Sequence, residues 1–195
     1  MTTRDRVLEA ALAGFAQRGF EATSLDALAG ELGVRKQTIL YYFSSKDELL
    51  RGVIRYAVAE LSDVLGRAAV GAGDVRAKGD DGRRRVTAIV DSVFRVGARR
   101  PELIGLLREV SRLGPSASRE LAAAIEPLIA QAVKALADLG VEPARSRRVL
   151  LRAAAKVVGL ATEVEVLREL GVEPDRTSLR RHRRELLAFL RSALA

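Results

Sequence analysis

Two short helical patterns with a single glycine between them constrain this chain more than any other feature. Leu25, Leu28, Ala29 and Leu32 line one side of the first pattern, Val34, Ile39 and Phe43 one side of the second, and Gly33 stands between. Two short helices can cross closely only where a small residue lets them approach, and Ala29 supplies it. They also need a turn residue free to take positive φ, which Gly33, four residues on, provides without a Cβ clash. This is the layout of a helix-turn-helix, which turns the far face of its second helix outward.

The rest of the chain reads as helix as well. Thr2 and Asp5 stand in capping-box register before Val7, Leu8, Ala11, Leu12 and Phe15, and Gly19 ends that first helix. Thr23 or Ser24 caps the second, a third covers about residues 34–43, and Ser44 or Ser45 caps a longer fourth carrying Leu49, Leu50, Val53, Ile54, Ala57, Leu61, Val64 and Leu65. Glycines 71, 73, 79 and 82 with Asp74, Asp80 and Asp81 mark a loop. Five further helical stretches follow, over about 83–98, 101–113, 116–139, 143–170 and 178–194. Pro101, Pro143 and Pro174 sit at or before helix starts, where a missing N–H costs nothing. Pro127 lies inside a helical pattern and predicts a kink. Leu-Gly-Val-Glu-Pro occurs at 139–143 and again at 170–174, read as glycine stopping one helix and proline starting the next. No strand-like alternation bounded by hairpin turns appears. The expected fold is all-α, with about nine helices.

Composition excludes several chemistries. The 195 residues contain no Cys and one His, which rules out disulfides, thiol chemistry and multi-histidine or Cys-ligated metal sites. That residue, His182, lies between arginines, a poor setting for a catalytic imidazole because neighbouring positive charge disfavours its protonated form. No glycine-rich phosphate loop and no singled-out carboxylate pair argue for an enzyme, and no metal or cofactor is expected. The absence of an 18-residue apolar run or a basic-then-apolar leader predicts a soluble, cytoplasmic protein with no membrane partner. The net charge is +8. Residues 1–60 nevertheless balance, with eight basic and eight acidic residues, so any nucleic-acid contact there must rest on local placement.

Local placement supplies it. From Leu32 to Lys46 the chain has Arg35, Lys36 and Lys46 and no acid. Arg and Lys donate to guanine O6 and N7, and Gln37 has the geometry to pair with adenine N6 and N7. Tyr41, Tyr42 and Lys46 follow with donors suited to phosphate oxygens, and a helix N-terminus itself favours an anion.

The ordered run from Thr23-Ser24-Leu25-Asp26-Ala27-Leu28-Ala29 through Gly33-Val34-Arg35-Lys36-Gln37-Thr38-Ile39-Leu40-Tyr41-Tyr42-Phe43-Ser44-Ser45-Lys46-Asp47-Glu48-Leu49-Leu50 resembles the tetracycline-repressor (TetR) family of bacterial regulators. The likeness covers about residues 3–60; the remainder matches in length and helical count alone. The resemblance implies a helix-turn-helix DNA-binding domain over 1–46, with its motif at about 24–43. It implies a connecting helix at about 45–68, and a helical effector-binding and dimerisation domain over 47–195. It implies a homodimer through the last two helices on a palindromic double-stranded DNA operator, released when a small effector binds. The candidate DNA-binding set is Thr23, Ser24, Arg35, Lys36, Gln37, Thr38, Tyr41, Tyr42 and Lys46. Two positions depart from the family pattern: Leu40, where Tyr is usual, and Asp26, where some members carry a basic residue. Both bear on which operator is read.

Six of the eight aromatic residues fall within 1–60, leaving Phe94 and Phe189 beyond. A pocket there would be walled by aliphatic side chains and would suit an aliphatic or acyl effector better than a planar drug. Its candidate lining is Phe94, Leu103, Leu106, Leu107, Val110, Ile125, Leu128, Ile129 and Val158, with Arg108 or Arg112 for an acidic head group; the alternative is a packed core with no cavity. The helix over 143–170 is apolar on more than one side, which calls for a partner helix. The Arg180–Arg184 run reads as a solvated or salt-bridged face of the last helix, with Glu163, Glu165 and Glu169 as partners. A second reading of the whole chain stands beside the regulator: an all-α ligand-binding or interaction protein without DNA function.

Overall fold

The computed structural model describes residues 1–71, 81–138, 140–172 and 176–194. These form α1 (Thr3–Arg18), α2 (Leu25–Leu32), α3 (Lys36–Tyr42), α4 (Lys46–Gly71), α5 (Asp81–Arg99), α6 (Pro101–Arg112), α7 (Pro115–Ala137), α8 (Pro143–Glu169) and α9 (Arg176–Leu194), with no strand among the described residues. The all-α expectation holds. Most of the glycine-rich loop expected after residue 71 lies outside the described residues, as do Leu139 and the Glu173–Asp175 connection. Pro127 sits inside α7, which runs on unbroken through it.

Capping follows the sequence. The Thr2 hydroxyl accepts from the Asp5 N–H at 3.2 Å while the Asp5 carboxylate accepts from the Thr2 N–H at 2.9 Å, closing a capping box. Of the two candidates for α2, Ser24 is the cap, accepting from the Ala27 N–H at 3.0 Å. Gly33 ends α2 in the left-handed region at φ 66°, and the Val34 N–H after it reaches back five residues to the Ala29 carbonyl at 3.0 Å. The repeated Leu-Gly-Val-Glu-Pro segments use the same stop: Val141 N–H bonds Leu136 O at 3.0 Å and Val172 N–H bonds Leu167 O at 2.8 Å. Leu32-Gly33-Val34 is thus a third copy of one terminator, the reading of the repeat as punctuation.

The chain divides into two compact units. The first comprises Met1–Glu60 with Arg100–Ile125, the second Leu61–Arg99 with Glu126–Ala195. The first is wider than the 1–46 domain expected from sequence, because α6 packs along α1. Its interior holds Val7, Leu8, Leu12, Phe15, Leu28, Ile39, Leu49, Val53 and Ile54, and α6 adds Leu103, Leu106 and Val110. Gly105 is where the two helices touch: a Cβ there would stand 2.8 Å from the Ala16 Cβ and 3.0 Å from the Ala16 carbonyl oxygen.

In the second unit Val90, Val149, Leu186, Leu187 and Leu190 form a core, with Phe94, Ala153, Val157, Phe189 and Ala193 packed against it. The arginine run on α9 is partly salt-bridged, as expected for a solvated face. Arg183 pairs with Asp91, and His182 Nε2 lies 3.2 Å from Glu163. The side chains of Glu165 and Glu169 lie outside the described residues. Leu151, Val166 and Leu170 of this region are exposed apolar side chains.

Candidate nucleic-acid interface

The helix-turn-helix is built as its pattern implies. Ala29 is buried in α2, which packs against both α1 and α3, and Ile39 and Phe43 are driven into the interior, Ile39 with no exposed surface at all. Val34 is half-buried. The Arg6 guanidinium donates to the Leu32 carbonyl at 3.1 Å, fastening the end of α2 to α1. Burying Ile39 turns the opposite side of α3 to solvent. Arg35 and Gln37 are exposed, Lys36 and Thr38 half-exposed, and Tyr41 is 84% exposed. Tyr42 and Leu40 are partly exposed, and the rings of Tyr41 and Tyr42 meet edge-on with centroids 5.1 Å apart. Gln37 and Tyr41 thus stand opposite the buried Ile39, with Lys36, Thr38 and Tyr42 partly exposed on the flanks and Arg35 exposed just before the helix.

Lys46 opens α4 and is anchored toward the α1–α2 turn. Its ammonium donates to the Glu21 carbonyl at 3.1 Å and sits 4.4 Å from the centre of the Phe20 ring. An ammonium carries three donors, so two remain for an anion. Ser24 is exposed, with its hydroxyl engaged as the α2 cap.

Thr23 departs from its expected role. It is 0% exposed, and its hydroxyl donates to the Gly19 carbonyl at 2.8 Å. Its side chain is committed to closing the turn after α1 and is not presented to a ligand. Lys36 is engaged as well: its ammonium lies 2.8 Å from the Asp26 carboxylate across the turn.

The effector set is distributed between the two units. Leu103, Leu106 and Val110 are interior residues of the first, with Leu107 and Ile125 half-buried there. Phe94 packs on the core of the second, where Ile129 is buried and Leu128 and Val158 half-buried. The proposed head-group arginines are otherwise occupied: Arg108 donates to the Ala16 carbonyl at 3.3 Å, and Arg112 binds Glu109 through two bonds of 2.7 and 2.9 Å.

Glu109 is the residue that sequence reading missed. It is 6% exposed, and besides Arg112 it accepts the Phe20 backbone N–H at 2.6 Å, tying α6 to the turn that leads into α2. The only sequence signal was an acid among the apolar positions of α6. The hydrogen bonds from Arg112 come first in holding this carboxyl below the usual carboxylate range; burial opposes them and the Phe20 N–H adds to them. A depressed folded-state value means the stabilisation is fully present above the unfolded-state value, about 4.3, and is lost as pH falls through the folded one. Glu109→Gln is accordingly expected to melt below the parent at pH 7, with the gap narrowing as the parent carboxyl protonates. Melting curves from pH 7 to pH 3 check this; a gap independent of pH would show that shape, not charge, makes the link.

Residues 7–53 match the family model described as bacterial regulatory proteins, tetR family. The HTH-type transcriptional regulator RutR of Escherichia coli K12 is 47% identical over 49 residues, 25% of this chain and 23% of that protein. The HTH-type transcriptional repressor KstR2 of Mycobacterium tuberculosis H37Rv is 36% identical over 66 residues, 32% of this chain and 33% of that one. These matches thus span about a quarter to a third of the curated relatives' length. Solved structures share the fold along the whole chain. The fatty acid degradation regulator FadR of Bacillus halodurans superposes with a TM-score of 0.75 at 15% identity, covering 98% of both chains. A transcriptional regulator of Rhodococcus sp. Rha1 gives 0.74 at 19%, covering 100% and 99%. A regulator of Saccharomonospora viridis in complex with choline gives 0.70 at 21%, covering 96% and 95%. Residues 7–53 thus carry a segment matching the tetR family of bacterial regulatory proteins, on a helical fold similar end to end to those solved structures.

Proposed function

We propose that this protein is a sequence-specific DNA-binding transcriptional regulator, a ligand-responsive repressor that binds a palindromic operator as a homodimer in the cytoplasm. The observation that carries the reading is the division of α3 into two faces. Ile39 is fully buried, while Arg35, Gln37 and Tyr41 stand exposed on a helix whose chemistry suits base edges and phosphates. The family is one of transcription regulators, which supports a binding protein over an enzyme. Residues 1–46 would read the DNA. Residues 47–195 would take the effector and pair the two copies through α8 and α9, where exposed Leu151, Val166 and Leu170 favour a covering partner.

Selection from a random duplex library, followed by titration of the winners at two salt concentrations, tests this. The expected result is a palindromic motif, bound selectively and more weakly as salt rises. Failure to enrich any motif, with no salt-dependent binding to any duplex, would reject the regulator in favour of a ligand-binding protein on the same fold.

For the effector, the scarcity of aromatic side chains beyond residue 60 favours an aliphatic or acyl ligand. The fatty acid degradation regulator FadR of Bacillus halodurans has the same fold. The choline bound by the Saccharomonospora viridis regulator keeps a small cation as the competing chemistry. Calorimetry with long-chain acyl compounds and with small organic cations separates the two.

A further inference from the structure

Asp26 is the second residue of α2 and Lys36 the first of α3, so the Gly33 turn brings an acid and a base from opposite sides of the motif together. Their charged atoms are 2.8 Å apart, and their side chains are 69% and 43% exposed, at the surface where Arg35 and Gln37 are also exposed. On a surface that meets a polyanion, a bare carboxylate repels phosphate and a bare ammonium attracts every phosphate alike. Joined, they cancel. Lys36 then adds little to binding on an arbitrary duplex. It leaves the carboxylate only for an acceptor pair that outcompetes it, such as guanine O6 and N7. Because the pair is solvent-exposed, the bond is weak enough to exchange on binding.

We propose that Asp26 is a specificity-determining residue: by holding the Lys36 ammonium it suppresses binding to non-operator DNA more than binding to the operator. This rests on the regulator reading above and names which residue sets its selectivity. The restraint acts through Lys36, so it must vanish when Lys36 is removed.

The experiment is a double-mutant cycle of Asp26→Asn and Lys36→Ala in the full chain. Each protein is titrated against the selected operator and against a scrambled duplex over a range of salt, with thermal unfolding to confirm that each is folded. Asp26→Asn is expected to raise affinity for the scrambled duplex about three- to tenfold at low salt, to raise operator affinity less, and to steepen the logarithmic salt slope by about 0.9, one added phosphate contact. In the Lys36→Ala background, where Asp26 is a bare carboxylate, the same substitution is expected to relieve only its repulsion of phosphate, a smaller gain that is equal on the two duplexes. An equal gain in both backgrounds would overturn the proposal in favour of plain phosphate repulsion by Asp26. A selective loss on the operator would overturn it in favour of direct base reading by Asp26, for example at cytosine N4. If the unsubstituted protein binds neither duplex, the regulator reading itself falls and takes this inference with it. Normal binding by the parent with no effect of Asp26→Asn defeats the inference alone.

Discussion

Gly105→Val is expected to destabilise the protein by about 1–3 kcal/mol, the usual range for forcing extra atoms into a packed contact. That corresponds to a fall of roughly 2–12 °C in melting temperature for a chain of this size. At most positions a neighbouring side chain rotates away from an added methyl group. At Gly105 the three nearest atoms are the Cβ, carbonyl oxygen and Cα of Ala16, at 2.8, 3.0 and 3.1 Å. Those atoms belong to the body of α1, so room can be made only by moving one helix off the other. The shift would also strain the 2.6 Å bond from the Phe20 N–H to Glu109 and the Arg108 bond to Ala16, both made between the same two segments. Gly66→Ala is the control. Gly66 lies in α4 with nothing within 4 Å of an added Cβ, so that change is expected to raise stability by about 0.5–1 kcal/mol through helix propensity. Scanning calorimetry on the two variants distinguishes them, and a Gly105 variant that melts like its parent would remove close packing as the basis of the α1–α6 contact.

Why that contact escaped sequence reading is physical. Helical periodicity reports that a helix has an apolar face, not which helix that face meets. Leu103, Leu106 and Val110 make a sound apolar stripe, and nothing in their spacing says that they are buried in the unit that also holds α1. Gly105 and Ala16 are each unremarkable alone, and their significance lies in a pairing 89 residues apart in the chain. Glu109 is the same case, an acid whose partner is a backbone N–H that no side-chain pattern announces. By contrast the local signals read well. The Thr2–Asp5 capping box, the Ser24 cap and the Gly33 stop depend on neighbours within a few residues. Thr23 marks the boundary between the two cases. Its position in the motif predicts a surface role, while its hydroxyl closes the turn four residues back.

The second large effect follows from α3 being seven residues long and two-faced. Ile39→Ala removes a fully buried side chain from the centre of the motif and is expected to destabilise by about 2–5 kcal/mol. Gln37→Ala, two residues away on the exposed side, is expected to leave stability within about 0.5 kcal/mol. Binding should invert the order of specific effects. Gln37→Ala is expected to lose about 1–3 kcal/mol of discrimination at one operator base pair, the usual worth of a good bidentate contact. Ile39→Ala, assayed well below its lowered melting temperature, is expected to weaken all duplexes together, because it loosens the platform rather than a reading group. Melting curves give the first comparison, and titration against operators varied one base pair at a time gives the second. Uniform loss of affinity across all those operators for Gln37→Ala would make the residue a phosphate contact. Base discrimination would then fall to Arg35 and Lys36, and the Asp26 restraint on Lys36 would become the main determinant of which operator is chosen.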